Sequence, residues 1–516
     1  MRKMNLPDSL KWSALTYPHK VALICEGEKT TYSELDANVN RVSNAILEMG
    51  FEKGDKICIL LFNCKEYIEI LYGLTKIGVI PVPLNFRFIG KEIEYIVNHS
   101  DSKGLIVGEE FLEVVKEILP NLRIPPGRVI VVGKKIPNGM MGYEDMSTQS
   151  VDHEPNIEVE PTDIFWIQYT GGTTGFPKGC IHLHEVIMEF AKLTVFEHGI
   201  TREGFNLTAG PIFHTAPANF AFTQLMMAGT VYIMKHFIPA EALKIIDRER
   251  ITNAFMVPSM FDAIVNLPDD GKKGNDVSSM QILISGGAPL HTTTKDGLLK
   301  LFKTARLYEF YAGTETGLIT SISLRDYLEK IRCVGKPAWG QEVKILDDDG
   351  NEVRKGDTGN IYMTGVIMFS EYYKNPKATK ESFKGNWVTL GDMGRLDEEG
   401  YLYIVDRKKD MVVSGGENIY PIEIEAVILT HSKVREVAVI GVPDERWGEA
   451  LKAIVVLKKG EKATEEEIIS FCSGCLAGFK KPKSVEFREE LPKSAYGKVL
   501  KRVLREPYWK GRDAKV

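Results

Sequence analysis

The sequence predicts an α/β protein with a large N-terminal domain of mixed, largely parallel sheets flanked by helices, and a small α+β C-terminal domain. The main observation is a regular alternation of helix and strand patterns over about the first hundred residues. Such alternation indicates crossover connections between parallel strands, whose ligands gather at the carboxyl ends. A second observation is a change in the residue pattern near residue 400, after which a separate small unit follows. The length of 516 residues exceeds a single typical core.

The first elements follow from capping and periodicity. Thr31 and Glu34 form the capping box of a helix that ends at Gly50. The next predicted elements are a strand at 56–62, a helix at 67–77, a strand at 79–84, a helix at 92–98 and a strand at 105–107. Pro81 and Pro83 cannot donate to a strand ladder, which predicts that their strand lies at an edge or a bulge.

A dense charged segment, residues 406–410, divides the two predicted domains. We interpret it as a hinge between an N-terminal domain at 1–405 and a C-terminal domain at 411–516; a surface hairpin turn is the alternative. The elements predicted in the second domain are a helix at 422–429, strands at 436–441 and 453–457, and a helix at 465–472.

Composition limits the partners. The net charge of −5 disfavours nucleic acid and acidic membranes. No stretch reaches the roughly 18 apolar residues of a membrane span, and the first residues lead into no signal-type segment, so we expect a cytoplasmic protein. Seven cysteines do not suggest a disulfide framework, and the Cys472–Cys475 pair is best read as structural. The oligomeric state stays open, with a homodimer among the options.

The most informative run is residues 169–179, which read Tyr-Thr-Gly-Gly-Thr-Thr-Gly-Phe-Pro-Lys-Gly. Apolar residues on both sides predict a strand, a tight loop and a return. Glycines let successive backbone amides form a concave nest for an anion, and threonine hydroxyls and a lysine add donors for phosphate oxygens. The alternative is a flexible glycine-rich surface loop. The run is not a P-loop, because Pro177 precedes Lys178 and Gly179 follows it.

Other segments carry compatible chemistry, although each is weak alone. They are residues 211–214, 285–289, 311–315, 387–392 and 492–498. Glu315 is a reasonable magnesium ligand, because hard cations prefer oxygen, but a solvated glutamate is equally plausible. His214 is more often structural at such a position, and a surface lysine is the default for Lys498.

The order and spacing of these motifs resemble those of the acyl-adenylate-forming superfamily, which includes acyl-CoA synthetases, peptide-synthetase adenylation domains and beetle luciferase. The resemblance covers nearly all of residues 10–505, and the set 169–179, 311–315, 406–410 and 492–498 is highly specific. It implies a mobile C-terminal lid and an active site between the two domains. It also implies two half-reactions, in which a carboxylic acid and ATP give acyl-AMP and a thiol then displaces AMP.

The resemblance assigns roles by motif position. The polyphosphate of ATP is expected at Thr170, Gly171, Gly172, Thr173, Thr174, Gly175 and Lys178. The adenine site is expected at Gly287, Ala288, Pro289, Tyr311, Ala312 and Gly313. Thr314 would contact the α-phosphate, Glu315 would bind Mg²⁺, and Asp392 with Arg407 would hold the ribose.

Further roles concern the acid and the lid. Lys498 would bridge the substrate carboxylate and the α-phosphate, and His214 would stack beside the acyl carboxylate. Lys409 marks the pivot. Gly415 and Gly416 would face the pantetheine of coenzyme A, and Lys480 lies in a basic cluster expected near CoA. Gly171, Ala312 and Leu390 depart from the family pattern of serine, glycine and threonine, which predicts modestly lower ATP affinity.

The acid and the acceptor are predicted less sharply. The expected acyl pocket is apolar and without an obvious basic anchor, comprising residues 213–222, 256–260, 286 and 311–318. It favours a medium- or long-chain fatty acid or a cyclic or aromatic acid. No carrier segment follows the lid, which favours CoA as acceptor. The alternatives are an adenylation enzyme that loads a separate carrier protein, a luciferase-like oxygenase and a non-catalytic acyl- or nucleotide-binding protein.

Overall fold

The structure, a computed structural model, describes residues 4–170, 177–323, 330, 333–407, 410–414, 417–473, 476, 478–493 and 499–510, with backbone only at Arg407, Glu417, Asn418 and Phe479. The strands in this part of the chain are β1 (Val21–Cys25), β2 (Glu28–Thr31), β3 (Lys56–Leu60), β4 (Ile80–Pro83), β5 (Gly104–Gly108), β6 (Val129–Val132), β7 (Met141–Gly142), β8 (Ile164–Thr170), β9 (Lys178–Leu183), β10 (Phe205–Thr208), β11 (Thr230–Ile233), β12 (Asn253–Met256), β13 (Ile282–Gly286), β14 (Arg306–Gly313), β15 (Gly317–Ser323), β16 (Cys333–Pro337), β17 (Gln341–Leu346), β18 (Gly359–Gly365), β19 (Phe383–Lys384), β20 (Trp387–Val388), β21 (Asp392–Leu396), β22 (Leu402–Arg407), β23 (Val412–Ser414), β24 (Glu417–Ile419), β25 (Val434–Asp444), β26 (Gly448–Leu457) and β27 (Ser484–Phe487).

The α-helices in the same part of the chain are α1 (Leu6–Thr16), α2 (Tyr32–Glu48), α3 (Lys65–Lys76), α4 (Gly90–His99), α5 (Leu112–Ile118), α6 (Tyr143–Gln149), α7 (His184–His198), α8 (Thr215–Met226), α9 (Pro239–Glu249), α10 (Pro258–Val265), α11 (Asp269–Lys272), α12 (Thr292–Leu301), α13 (Pro376–Ser382), α14 (Pro421–Ile428), α15 (Glu465–Ser473) and α16 (Lys501–Trp509). None of these helices is long and apolar enough to cross a membrane. Helix α2 begins as the sequence predicts: the Glu34 amide donates to Thr31 Oγ1 at 3.3 Å, and the Thr31 amide donates to Glu34 Oε2 at 2.8 Å.

The larger sheet of the N-terminal unit is mixed but mainly parallel. Its strand order is β16-β15-β14-β13-β12-β10-β11-β1-β2. The six strands from β14 to β1 run parallel, and β15, β16 and β2 are antiparallel additions at the two ends. Apolar clusters cover both faces, because alternate residues of a strand point to opposite sides. The predicted fold class is therefore confirmed for this unit.

A second sheet of the same unit has the order β4-β3-β5-β6-β7 and is parallel throughout. Strand β4, which contains Pro81 and Pro83, lies at its edge, where the missing amides cost no ladder hydrogen bond. This confirms the prediction made from the two prolines. Strands β8 and β9 form a separate antiparallel hairpin.

The C-terminal unit is small and α+β, as predicted. Strands β18, β21 and β22 are joined by antiparallel pairing, and β17 adds to β18. In a second sheet, β26 pairs antiparallel with β25 along its length, antiparallel with β23 near its start and parallel with β27. Helices α14 and α15 contribute to one core of this sheet and α16 contributes to another.

Contacts divide the chain into Met1–Glu342 with Thr364–Val388, and Val343–Met363 with Thr389–Val516. This division differs from the predicted domain boundary, because β21 and β22 group with the C-terminal unit. The bounds of two compact units do not locate a pivot between them, so the hinge at 406–410 remains a prediction.

Candidate functional site

The glycine-rich run is framed by the hairpin of β8 and β9. Tyr169 is paired with Gly179 and Thr170 with Lys178, which confirms the predicted strand and the strand that returns. At Gly179 an added Cβ would lie 2.7 Å from Ile167 Cγ2, so a larger residue would require the neighbouring side chains to shift. Gly171, Gly172, Thr173, Thr174 and Gly175 lie outside the described residues.

Thr314 and Glu315 lie in the turn that joins β14 and β15. Gly313 and Gly317 are paired across this turn, and Gly317 has φ +59°, a conformation that suits glycine. The Gly313 amide donates to Thr316 Oγ1 at 3.0 Å, which closes the turn from inside. Thr314 and Glu315 are only half-buried, so their side chains are accessible to a ligand.

Residues 369–373 link this turn to the hairpin. Tyr372 Oη donates to Glu315 Oε1 at 2.7 Å, and the Phe369 amide donates to the Glu315 carbonyl at 2.8 Å. The Lys178 ammonium lies 5.0 Å from the centroid of the Tyr372 ring, within the range of a cation–π contact. The structure therefore joins Lys178 and Glu315, two of the predicted site residues, through one tyrosine.

His182 on β9 supports the same turn. Its Nε2 lies 2.7 Å from the Thr314 carbonyl oxygen, and the residue is 2% exposed. Burial lowers the pKa of His182 to about 4, so the ring is neutral near pH 7 and its Nε2–H donates. The turn thus receives hydrogen bonds from both the hairpin and the 369–373 segment.

The predicted adenine turn, residues 287–289, follows β13. Gly287 has φ +88°, and a Cβ on Gly286 would lie 2.5 Å from Phe310 Cζ, so both positions favour glycine. Glu309 Oε1 accepts a hydrogen bond from the Leu290 amide at 2.9 Å. The other oxygen of Glu309 pairs with Lys295 Nζ at 2.6 Å, and both side chains are buried. The turn is therefore anchored to β14 by a buried ion pair.

Tyr311, Ala312 and Gly313 continue β14 toward the Thr314 turn. A register shift between Tyr311 and Ala312 interrupts the ladder with β15. Such an irregularity re-aims side chains and is common beside active sites. These three residues thus lie in one strand with Glu309, which anchors the adenine turn.

Asp392 and Arg407, the predicted ribose pair, are brought together in the C-terminal unit. They are direct partners across the antiparallel strands β21 and β22. This backbone pairing places the two positions opposite each other in the sheet. Asp392 is 7% exposed and follows Gly391, which has φ +76°.

The ends of the predicted hinge are tied to helices of the C-terminal unit. Asp406 Oδ2 accepts from the Ile422 amide at 3.1 Å, and Asp410 pairs with Arg505. Lys480, the predicted CoA residue, pairs with Glu423 at 2.8 Å. Lys409, Gly415, Gly416 and Lys498 lie outside the described residues, and their roles remain predictions.

His214 belongs to a different neighbourhood, at the start of α8. Its ring packs on that of Phe213, with centroids 4.2 Å apart. The loop before it is pinned by Asn63, whose Nδ2 donates to the Gly210 and Met234 carbonyls at 2.8 and 3.0 Å. Asn63 Oδ1 also accepts from the Ile212 amide at 2.8 Å.

Asn63→Ala should lower the free energy of unfolding by about 2 kcal/mol, because it leaves buried backbone groups without partners. Chemical denaturation followed by fluorescence would measure this loss. Asn98→Ala is the control, because the Asn98 amide bonds to the Asn121 carbonyl at an exposed position. An equal effect of the two changes would contradict the special role of Asn63.

The residues of the predicted acyl pocket belong to two apolar clusters. Phe220 stacks on Phe255 with centroids 5.0 Å apart, and Phe310 packs beside them. Met256 and Met260 instead pack in the cluster on the other side of the sheet. The reason is strand alternation, which sends Phe255 and Met256 to opposite faces. Val257, which lies between the two methionines, packs against both clusters, and a single pocket lined by all these residues remains a prediction.

Three residues of the site escaped the sequence analysis: His182, Tyr372 and Glu309. Glu309 left a signal, because a charged residue between Tyr308 and Phe310, in the apolar middle of a strand, indicates a buried ion pair. The other two left none, since their partners are distant in sequence and become neighbours only through tertiary pairing.

Three buried histidines predict a steep loss of stability in mild acid. Burial lowers the pKa of His182 and His184 to about 4 and that of His198 to about 3. In the unfolded chain the same histidines bind protons near pH 6.5. Above that pH their protonation does not reduce the free energy of unfolding, which then decreases as the pH falls from 6.5 toward the pKa values of the folded state. Three protons at about 1.4 kcal/mol each give a slope of up to about 4 kcal/mol per pH unit.

His184→Leu is expected to reduce this slope by about 1.4 kcal/mol per pH unit, which is the contribution of one proton. Within the described residues neither ring nitrogen of His184 has a hydrogen-bond partner, and the ring packs on Phe165, so leucine loses no polar contact there. Denaturation series between pH 4 and 8 would measure the slopes of wild type and variant. Identical slopes would show that His184 does not resist protonation in the folded state.

Known proteins resemble this chain over most of its length. The model of the AMP-binding enzyme family matches residues 10–373, and the model of the AMP-binding enzyme C-terminal domain matches residues 423–498. A long-chain-fatty-acid–CoA ligase of Mycobacterium tuberculosis is 34% identical over 486 residues, covering 93% of each chain. A feruloyl-CoA synthase of Amycolatopsis is 33% identical over 493 residues, covering 95% of this chain and 96% of the relative.

A solved structure resembles the whole chain. ATP-bound MatB from Rhodopseudomonas palustris superimposes with a TM-score of 0.87 at 29% identity, and the match covers 98% of this chain and 99% of MatB. The two relatives above differ in the acids that their names give, so similarity alone leaves the acid open.

Proposed function

The chain belongs to the AMP-binding enzyme family and is an enzyme of its AMP-forming acid–CoA ligase group; from that premise we propose that it converts a carboxylic acid, ATP and CoA into an acyl-CoA. In the first half-reaction a carboxylate oxygen attacks the α-phosphorus of ATP, and pyrophosphate leaves. In the second, the thiol sulfur of CoA attacks the acyl carbonyl, and the bond to AMP breaks. The observation that carries the proposal is a set of contacts among the predicted nucleotide residues. Tyr372 contacts both Lys178 and Glu315, and His182 bonds to the carbonyl of Thr314.

The nucleotide is proposed to bind along these elements. Thr170 and Lys178 flank the glycine-rich run and would meet the polyphosphate, while Tyr311 and residues 287–289 would take the adenine. Thr314 would contact the α-phosphate. Asp392 and Arg407 would hold the ribose hydroxyls, which their cross-strand pairing supports. Lys480 and residues 415–416 are proposed for CoA, and His214 for the acyl end.

Glu315 has the properties expected of a residue that binds Mg²⁺. Its carboxylate forms no ion pair among the described residues, and its hydrogen-bond donor Tyr372 is neutral, so its charge is available to a cation. No preformed cage of three or more His, Cys, Asp or Glu exists in the described part of the chain. That suits Mg²⁺, which typically uses one or two carboxylates together with substrate phosphates. The ion would neutralise charge on the phosphates while Glu315 fixes its place.

The acid is proposed to be a medium- or long-chain fatty acid or a cyclic or aromatic acid. The aromatic block of Phe220, Phe255 and Phe310 beside Gly286 supports an apolar tail. CoA is the favoured acceptor because the relatives named above are CoA enzymes. Loading of a separate carrier protein remains the alternative.

A panel of acids tests both assignments. The purified protein is incubated with ATP, Mg²⁺ and each acid, with and without CoA, and AMP, pyrophosphate and acyl-CoA are quantified. CoA-dependent AMP release with an apolar acid is the expected result. Pyrophosphate release with each acid but no consumption of CoA would favour the carrier-protein alternative. Absence of adenylate with all acids would overturn the proposal.

A further inference from the structure

Two side chains outside the predicted motifs hold the turn of Thr314 and Glu315. We propose that Tyr372 and His182 are positioning residues: Tyr372 orients the Glu315 carboxylate toward a metal–nucleotide complex, and His182 fixes the Thr314 carbonyl beneath it. The inference rests on the proposed function, because it requires a metal-bound nucleotide at Glu315.

The backbone that presents Tyr372 is itself fixed. Residues 369–373 lie along β9, where the Ser370 amide donates to the Ile181 carbonyl at 2.8 Å and the Tyr373 amide donates to the Gly179 carbonyl at 2.7 Å. The Ile181 amide donates in return to the Glu371 carbonyl at 3.0 Å. Tyr372 therefore reaches Glu315 from a rigid strand-like segment rather than from a free loop.

The hydroxyl of Tyr372 is the donor in its bond to Glu315, because an ionised carboxylate has only acceptor atoms. A hydroxyl carries no charge, so it orients the carboxylate without cancelling the negative charge that a cation would meet. Cys180, which precedes His182 on β9, is paired to Tyr372 by an antiparallel β-bridge and so helps to fix the tyrosine backbone.

His182 makes a complementary contact on the preceding residue. Its Nε2–H is bonded to the Thr314 carbonyl, while within the described residues its buried Nδ1 has no partner. Leaving a ring nitrogen unsatisfied in the interior is unfavourable, and an apolar side chain at this position of β9 would avoid that cost. The bond to Thr314 is the gain that offsets it.

Tyr372→Phe isolates the first half of the proposal. It keeps the ring under Lys178 and removes only the hydroxyl. We expect at least about a fivefold weaker binding of Mg²⁺–ATP by isothermal titration calorimetry, a matching rise in the Mg²⁺ concentration for half-maximal AMP formation, and unchanged binding of ATP in EDTA. A fivefold change in an equilibrium constant is a moderate effect for one hydrogen bond.

Tyr143→Phe is the matched control. Tyr143 Oη donates to Glu69 Oε2 at 2.6 Å in a buried site remote from these elements in sequence, so its loss should lower stability but leave Mg²⁺ dependence unchanged. Wild-type Mg²⁺ affinity in Tyr372→Phe would overturn the role of Tyr372. A wild type that binds Mg²⁺–ATP but forms no adenylate would defeat the proposed function alone, because the calorimetry still reports on Tyr372.

His182→Leu and His182→Gln test the second half. Glutamine places an N–H near the position of Nε2, whereas leucine cannot donate. We expect the leucine variant to raise the KM for ATP several-fold more than it lowers kcat, and the glutamine variant to restore most of the loss. Equal KM values in both variants would show that the bond to Thr314 has no positioning role.

Discussion

Lys498→Ala is expected to reduce acyl-adenylate formation by ~10²- to 10³-fold, the typical loss when one preorganised group that stabilises transition-state charge is removed. The acid carboxylate and the α-phosphate are like charges, and one unit pair 4 Å apart repels by about 4 kcal/mol at an effective dielectric near 20. An ammonium group between the carboxylate and the α-phosphate turns this repulsion into a net attraction as charge develops in the transition state. Lys498 lies outside the described residues, so the expectation rests on its motif position.

The two half-reactions separate this role from a general loss of structure. Thioester formation from supplied acyl-AMP and CoA should be nearly unchanged in Lys498→Ala, because no polyphosphate is attacked in that step. Pyrophosphate exchange measures the first step and acyl-CoA release the second. Lys493→Ala is the control from the same segment; its ammonium pairs with Glu436 at a partly exposed position. Equal loss of both half-reactions in Lys498→Ala would contradict the assignment.

Local signals in the sequence predicted much of the frame of the site. The capping box of Thr31 and Glu34, the edge strand with Pro81 and Pro83, and the hairpin around the glycine-rich run all depend on near neighbours in the chain. Such features are set by backbone sterics and short-range hydrogen bonds, which a sequence displays directly.

Contacts between distant segments could not be predicted in the same way. Tyr372 reaches Glu315 because residues 369–373 pair with β9, a register that no local pattern encodes. The two faces of β12 show the same limit, since Phe255 and Met256 enter different cores although they are adjacent in sequence. The sequence motifs predicted the reacting groups, whereas the residues that hold these groups in position are visible only in the tertiary structure.

The buried pair of Lys295 and Glu309 is expected to be worth more to stability than any surface ion pair of the N-terminal unit. The two side chains are 5% and 9% exposed and their charged atoms lie 2.6 Å apart. Lys295→Met would leave the Glu309 carboxylate buried without a countercharge, and breaking such a pair typically costs about 3–5 kcal/mol. Because Glu309 also accepts from the Leu290 amide, the adenine turn should loosen and ATP should bind more weakly.

A second change separates the charge from the packing. Lys295→Met combined with Glu309→Gln removes both charges and keeps an oxygen that can accept from the Leu290 amide, so most of the stability and ATP affinity should return. Lys192→Met is the matched control, since Lys192 pairs with Glu189 on an exposed helix face and should contribute about 0.3–0.5 kcal/mol. Calorimetric unfolding and ATP titration would compare the three variants. If Lys295→Met were as mild as Lys192→Met, the buried pair could not be what anchors the turn, and the adenine site would have to be held by packing around Phe310 instead.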